Sequence, residues 1–334
     1  LFGWFNYRGV RVVGRTQLLL VFVMVAAVFL VATGSVLDTG GTLANLRPPF
    51  APDRSAVSGV LAMVAIMPWM LSGFDTLPQA AEEFAFSPAQ AFRLMLLSIA
   101  LGVILYLTVL FATSYLMPWP ELVAEYPAWA TGFATERSLG SIGVAILSVA
   151  VLMGIFTGMN GFFMAASRLM FSMGRAKILP AWFGRLSPAH GTPSNAILFA
   201  AATSLLAPWF GRSALLWVVD MSAVGIAIGF LYTCIGASSL LKTQPQLAPV
   251  WGGPGLAVAG AVVSAGFVAL LLVPGSPAFM AAPSWIALAG WVVLGIAFYL
   301  TRVTDLGGMS RAELDYLILG KGRSDTPHGG IVKS

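Results

Sequence analysis

Residues 16–36 carry no charged side chain, and seven further long apolar stretches follow, at 56–86, 94–119, 139–167, 194–210, 213–241, 255–273 and 283–301. A helix needs about 20 apolar residues to cross ~30 Å of hydrocarbon. Runs of this length therefore predict an all-α integral membrane protein with eight transmembrane helices. The stretch at 194–210 is short and leans on its neighbours. Composition agrees: 58% of residues are hydrophobic and 9% charged, whereas soluble domains are roughly a quarter charged. A barrel would instead show alternating segments of ~10 residues. Residues 1–301 read as one membrane domain, and 302–334 as a polar cytoplasmic tail.

Basic residues set the orientation. Placing the N-terminus in the cytoplasm puts fourteen of the 18 lysines and arginines inside and leaves Arg47, Arg54, Arg137 and Arg212 outside. The chain is thus expected to be multi-pass in the cell membrane, with both termini cytoplasmic. The net charge of +5 is then topogenic, and nothing implies nucleic acid. Cys234 is the one cysteine, and His190 and His328 both lie in polar segments. No disulfide, metal site or cofactor is implied. The chain begins at Leu1 rather than Met, without a cleavable leader pattern, and reads as a fragment.

The second stretch is interrupted. In "WMLSGFDTLPQAAEE", residues 69–83, Gly73, Asp75 and Pro78 fall where an uninterrupted span would be apolar. The expected arrangement is a half-helix at 56–70, an unwound segment near 71–76, and a second half-helix over 77–86. Thr76 would cap that half-helix and Pro78 would sit in its first turn. Backbone groups freed inside lipid cost several kcal/mol each unless they line a cavity or are buried in protein. Discontinuous helices of this kind point to transporter binding sites. An idle Asp75 at mid-bilayer would cost ~2.5–3.5 kcal/mol on insertion scales. A proline kink with Asp75 paired to a neighbouring helix is the plainer alternative.

This motif resembles the broken-helix motif of the amino acid–polyamine–organocation permease superfamily. "NGFFMAASRLMFSMGRAKILPAWFGRL", residues 160–186, is similar to that superfamily's eighth span and the loop after it. "TPSNAI" at 192–197 is similar to the entry into its ninth span. "VVDMSAVGIAIGFLY" at 218–232 resembles the tenth, and "NYRGVRVVGRTQ" at 6–17 the approach to the fifth. The resemblance implies a five-plus-five inverted-repeat transporter fold, of which this chain supplies spans five to twelve. It further implies a secondary active transporter of amino acids or related amines and polyamines, a symporter or antiporter working by alternating access. The substrate would be held at the unwound segment by Trp69, Ser72, Gly73, Phe74 and Asp75, with Asn160 and Phe162 contributing from the eighth span. Bland roles compete: Trp69 and Phe162 in packing, and Asn160 as a bridge between helices, while Asp220 either lines the substrate path or caps a helix near the outer interface.

Glu82 and Glu83 lie two turns beyond Asp75, and Arg168 ends the 139–167 stretch on the same side, so a Glu–Arg pair there is a candidate cytoplasmic gate. The coupling ion stays open between H+ and Na+. Residues 16–37 lack the lysine that some relatives place in the fifth span. Ser148 and Thr157 are the available hydroxyls, although helical hydroxyls usually bond back to the i−4 carbonyl. Membrane lipids are the expected surroundings, and the oligomeric state is open. Two other functions compete: a non-transporting membrane scaffold or sensor, and a membrane-embedded enzyme using Asp75. The enzyme reading lacks an intramembrane histidine, and no G-x-x-x-x-G-K-[ST] loop implies nucleotide hydrolysis.

Overall fold

The computed structural model describes residues 1–37, 40–52, 54–83, 86–125, 129–211, 213–245 and 253–302, together with Ser310 and Glu313. The described elements are helical throughout, with no strand among them. In chain order they are α1 (Phe2–Arg8), α2 (Val10–Leu37), α3 (Ala56–Met70), α4 (Pro88–Leu116), α5 (Trp119–Glu125), α6 (Ala130–Arg175), α7 (Ser194–Leu206), α8 (Ser213–Thr243), α9 (Gly253–Leu272) and α10 (Ala282–Leu300). Short 3₁₀ helices occupy Leu43–Leu46, Phe74–Thr76, Pro78–Glu83 and Ala207–Phe210.

Among the described residues, seven helices are long and apolar enough to cross a membrane. The eighth expected span is the shorter Ser194–Phe210, where α7 runs into a 3₁₀ turn at Ala207–Phe210. The protein is a multi-pass membrane protein. Helix boundaries follow local chemistry. Ser55 caps α3 by accepting the Ser58 N–H at 3.1 Å. Ser87 and Gln90 form a reciprocal capping box at the start of α4, with Pro88 in the first turn. The α6 helix is two helices joined at Gly140 (φ 63°, ψ −161°), and its second part runs to Arg175, eight residues past the predicted end at 167. The tail expected over 302–334 lies outside the described residues apart from Arg302, Ser310 and Glu313. Glu313 pairs with Lys177 at 3.8 Å.

Packing divides the helices into two groups. In the first, α2 lies along α6, and α4, α1 and α7 pack onto that pair. Phe2, Leu20 and Phe163 form its apolar cluster. In the second, α8 lies along α9, and α3 and α10 pack onto them. Its cluster is Ala65, Ala223, Val224, Leu271 and Met280. The chain passes from the second group to the first immediately after α3. The Phe74–Thr76 turn packs on α4 and α6, and Pro78–Glu83 packs on α6.

Candidate functional site

The break in α3 is made by a buried proline and a glycine. Pro68 in the last turn has no N–H to continue the ladder. Helical geometry ends at Leu71 (φ −95°, ψ 0°), and Gly73 takes φ +128°, ψ −41°. That φ is costly for any residue with a Cβ. The chain then re-enters a 3₁₀ turn at Phe74 rather than an α-helix. The second half-helix expected over 77–86 is likewise 3₁₀ where described, at Pro78–Glu83. Thr76 does not cap it: its hydroxyl donates back to the Gly73 carbonyl at 2.6 Å.

Accounting for the freed backbone groups shows how the break is held. The Trp69 carbonyl accepts both the N–H of Ser72 at 3.1 Å and its hydroxyl at 2.8 Å. The Met70 carbonyl accepts the Tyr106 hydroxyl of α4 at 2.8 Å. The Gly73 N–H donates to Asp75 Oδ1 at 2.7 Å. Asp75 is therefore turned back onto the break, accepting from the backbone N–H two residues before it, and its second oxygen makes no hydrogen bond among the described residues. A carboxylate accepts at both oxygens, so Asp75 retains capacity for one external donor. The Phe74 ring leans on Phe230 of α8, with centroids 5.8 Å apart.

The other predicted residues separate. Trp69 and Phe162 are each roughly half-exposed, on α3 and α6 respectively. Asn160 is fully buried, and its amide is spent between helices. It donates to the Val13 carbonyl at 3.2 Å and to Gln17 Oε1 at 3.0 Å, and accepts from Asn6 Nδ2 at 3.4 Å. Gln17 in turn donates to the Thr157 carbonyl at 3.3 Å. Asn160 is thus a hub joining α1, α2 and α6, with both ends of its amide engaged, and it offers nothing to a ligand in this arrangement. Ser148 and Thr157 both donate to i−4 carbonyls, of Val144 and Met153. Arg168 is buried, and its Nη1 donates to the Met164 carbonyl at 3.3 Å. The Glu82 and Glu83 side chains lie outside the described residues, so the gate rests on the backbone alone: the segment that carries them packs against α6. Asp220 accepts from Ser284 of α10 at 2.6 Å, a bond between helices rather than a helix cap.

Sequence reasoning missed Tyr106, which completes the break from a different helix, and Asn6 and Gln17, which fix the hub. Tyr106 sits among apolar residues with no spacing signal. The two amides are visible as polar residues in or beside a span, but their partner was not.

Comparison with known proteins completes the description. The family model for amino acid permeases matches residues 1–298. The chain belongs to this family, and through it to the amino acid–polyamine–organocation superfamily. Among its relatives is the methylthioribose transporter of Bacillus subtilis, 25% identical over 87% of this chain and 60% of that protein. Another is the branched-chain amino acid permease BcaP of Lactococcus lactis, 25% identical over 73% of this chain and 52% of the relative. A third, cationic amino acid transporter 7 of Arabidopsis thaliana, is 28% identical over 55% of this chain and 32% of the relative. The chain spans about half the length of the curated relatives it matches. Family and relatives are transporters, not enzymes.

Proposed function

We propose that the protein is a secondary active transporter that moves an amino acid or related amine across the cell membrane by alternating access. One observation carries the site: α3 stops being helical at Met70, in a span otherwise apolar, and the freed groups around Gly73 are met by side chains rather than by a continued ladder. The C-terminal end of α3 presents carbonyls, which favour cations such as a substrate ammonium. The open oxygen of Asp75 adds a full negative charge there. We assign substrate contact to Ser72, Gly73, Phe74 and Asp75, with Trp69 and Phe162 as apolar walls, and leave Asn160 in the scaffold. The chain carries part of an inverted-repeat fold, with both termini in the cytoplasm. Arg168 with Glu82 or Glu83 forms the inner gate.

The branched-chain, aromatic and cationic specificities named among the relatives define the uptake panel. Purified full-length protein in proteoliposomes should accumulate at least one labelled amino acid from that panel. Asp75→Asn and Trp69→Ala should each lower uptake by tenfold or more, about 1.4 kcal/mol of lost binding. Uptake unchanged in both variants would falsify the site.

A further inference from the structure

The α2 and α4 helices pack side by side and end together, at Leu37 and Leu116. Between their last turns runs an open apolar groove of about 490 Å³, walled by Thr33 and Val36 of α2 and by Thr108, Phe111 and Ala112 of α4. The Thr108 hydroxyl is spent on the Ile104 carbonyl, so it adds no free donor to the groove. One turn further along the same stripes lies a second cavity of about 410 Å³, lined by Gly40, Leu116, Glu121, Arg137 and Ser138 among others. Leu116 lies one turn beyond Ala112 on α4, and Gly40 follows the end of α2 by three residues, so the cavity sits just past the groove.

The cavity is charged at two poles that do not satisfy each other. Among the described residues Glu121 and Arg137 form no ion pair, and Arg137 makes one weak hydrogen bond, to Met117 Sδ at 3.8 Å. The Ser138 Oγ is buried without a hydrogen-bond partner among the described residues. Trp119 and the half-exposed Trp129 lie at this level, as tryptophans do at the membrane–water interface. An apolar trough entering the bilayer, topped by an interfacial pocket with one cationic and one anionic wall, matches a lipid rather than a soluble solute.

We propose that groove and cavity together bind one phospholipid of the phosphatidylethanolamine class. An acyl chain lies along Val36 and Phe111, the phosphate faces Arg137 and Ser138, and the primary ammonium faces Glu121. The charges select the headgroup. Glu121 accepts hydrogen bonds and cannot donate them. A primary ammonium supplies donors, a quaternary choline supplies none, and a phosphatidylglycerol headgroup leaves Glu121 facing a net anion.

The test uses full-length protein reconstituted with equal parts phosphatidylethanolamine, phosphatidylcholine and phosphatidylglycerol, then examined by native mass spectrometry for retained lipid. Wild type should retain phosphatidylethanolamine about tenfold over either competitor, the worth of one charge-assisted hydrogen bond. Glu121→Gln should bring phosphatidylglycerol to parity. Arg137→Gln should lower retention of all three, and so should Val36→Trp, which fills the groove from an exposed position. A lipid photoprobe reacting from its acyl chain should label α2 and α4 near Val36 and Phe111. Equal retention of the three lipids by wild type, an unaltered preference in Glu121→Gln, or no labelling at the groove each overturns the proposal. The photoprobe also keeps it testable if a cavity variant fails to fold. None of these readouts depends on transport.

Discussion

The two helix groups are held together by different means. In the group of α1, α2, α4, α6 and α7, a fully buried asparagine ties three helices through side-chain amides: Asn6, Gln17 and Asn160. In the group of α3, α8, α9 and α10, small residues pack with Val224, Leu271 and Met280. Ala65, Ala223 and Ala227 have no exposed surface, and Gly260 lets α9 close on Cys234, where a Cβ would lie 2.7 Å from the sulfur. Among the described residues, a side-chain hydrogen bond from Ser284 to Asp220 links α10 to α8. Lipid tails give no hydrophobic drive for helices to associate, so packing and hydrogen bonds carry the work. Directional amides fix one register, whereas a seam of alanines and glycines sets closeness without fixing register. If the protein works by alternating access as proposed, the first group would serve as the frame and the second as the unit that shifts against it. The broken segment lies at the seam, with α3 packed in one group and the turn after it in the other. The Tyr106–Met70 hydrogen bond crosses that seam.

This contrast can be broken at its strongest point first. Asn160→Leu removes the hub and strands the partner groups of Asn6 and Gln17 in the bilayer, at ~1–3 kcal/mol for each orphaned group. We expect ~2–4 kcal/mol of lost stability, read as a fall in thermal midpoint in detergent, and a midpoint equal to wild type would show that the amides do not hold the frame. Ala223→Leu tests the other group by overpacking, at ~1–3 kcal/mol. Here the comparison predicts a smaller loss of stability than in Asn160→Leu, because packing without directional hydrogen bonds can re-register around the added bulk. Equal losses in both groups would erase the distinction. At the seam itself, Gly73→Ala forces φ +128° onto a residue with a Cβ, at ~1–3 kcal/mol. Uptake should drop tenfold or more, beyond what the accompanying fall in midpoint accounts for. The smallest change is Tyr106→Phe, which removes one hydrogen bond of ~0.6 kcal/mol on the membrane average. It should raise the rate of amide exchange near Met70 with a barely altered midpoint, and unaltered exchange would mean that the cross-seam bond is not formed.

Much of the helix layout was legible, because the bilayer imposes a length on each apolar run. The α3 helix starts at Ala56, at the expected position, whereas α4 starts at Pro88, six residues before the expected 94, because Ser87 and Gln90 cap it earlier than its apolar run begins. The interruption after Met70 was legible too, from Gly73, Asp75 and Pro78 together. What could not be read was the form of the segment beyond it. Thr76 and Pro78 are ordinary signals for a helix start, yet Thr76 bonds back to Gly73 and the chain continues as 3₁₀. The role of Asn160 was equally out of reach. Whether a polar residue on a membrane helix faces a cavity or a neighbour depends on who the neighbour is, and residues 6 and 17 lie far away in sequence.

The sequence alone determined that this chain crosses a membrane many times and that its second span cannot run straight through. Both follow from local chemistry: apolar length matched to hydrocarbon thickness, and a proline and a glycine where a helical ladder would need an N–H and a negative φ. Only the tertiary structure decided who satisfies the groups so freed. Asp75 closes the turn on its own backbone, Tyr106 reaches in from α4, and Asn160 is spent on α1 and α2. Hydrogen bonds in a low-dielectric interior are allotted by proximity in space, and no spacing along the chain encodes that.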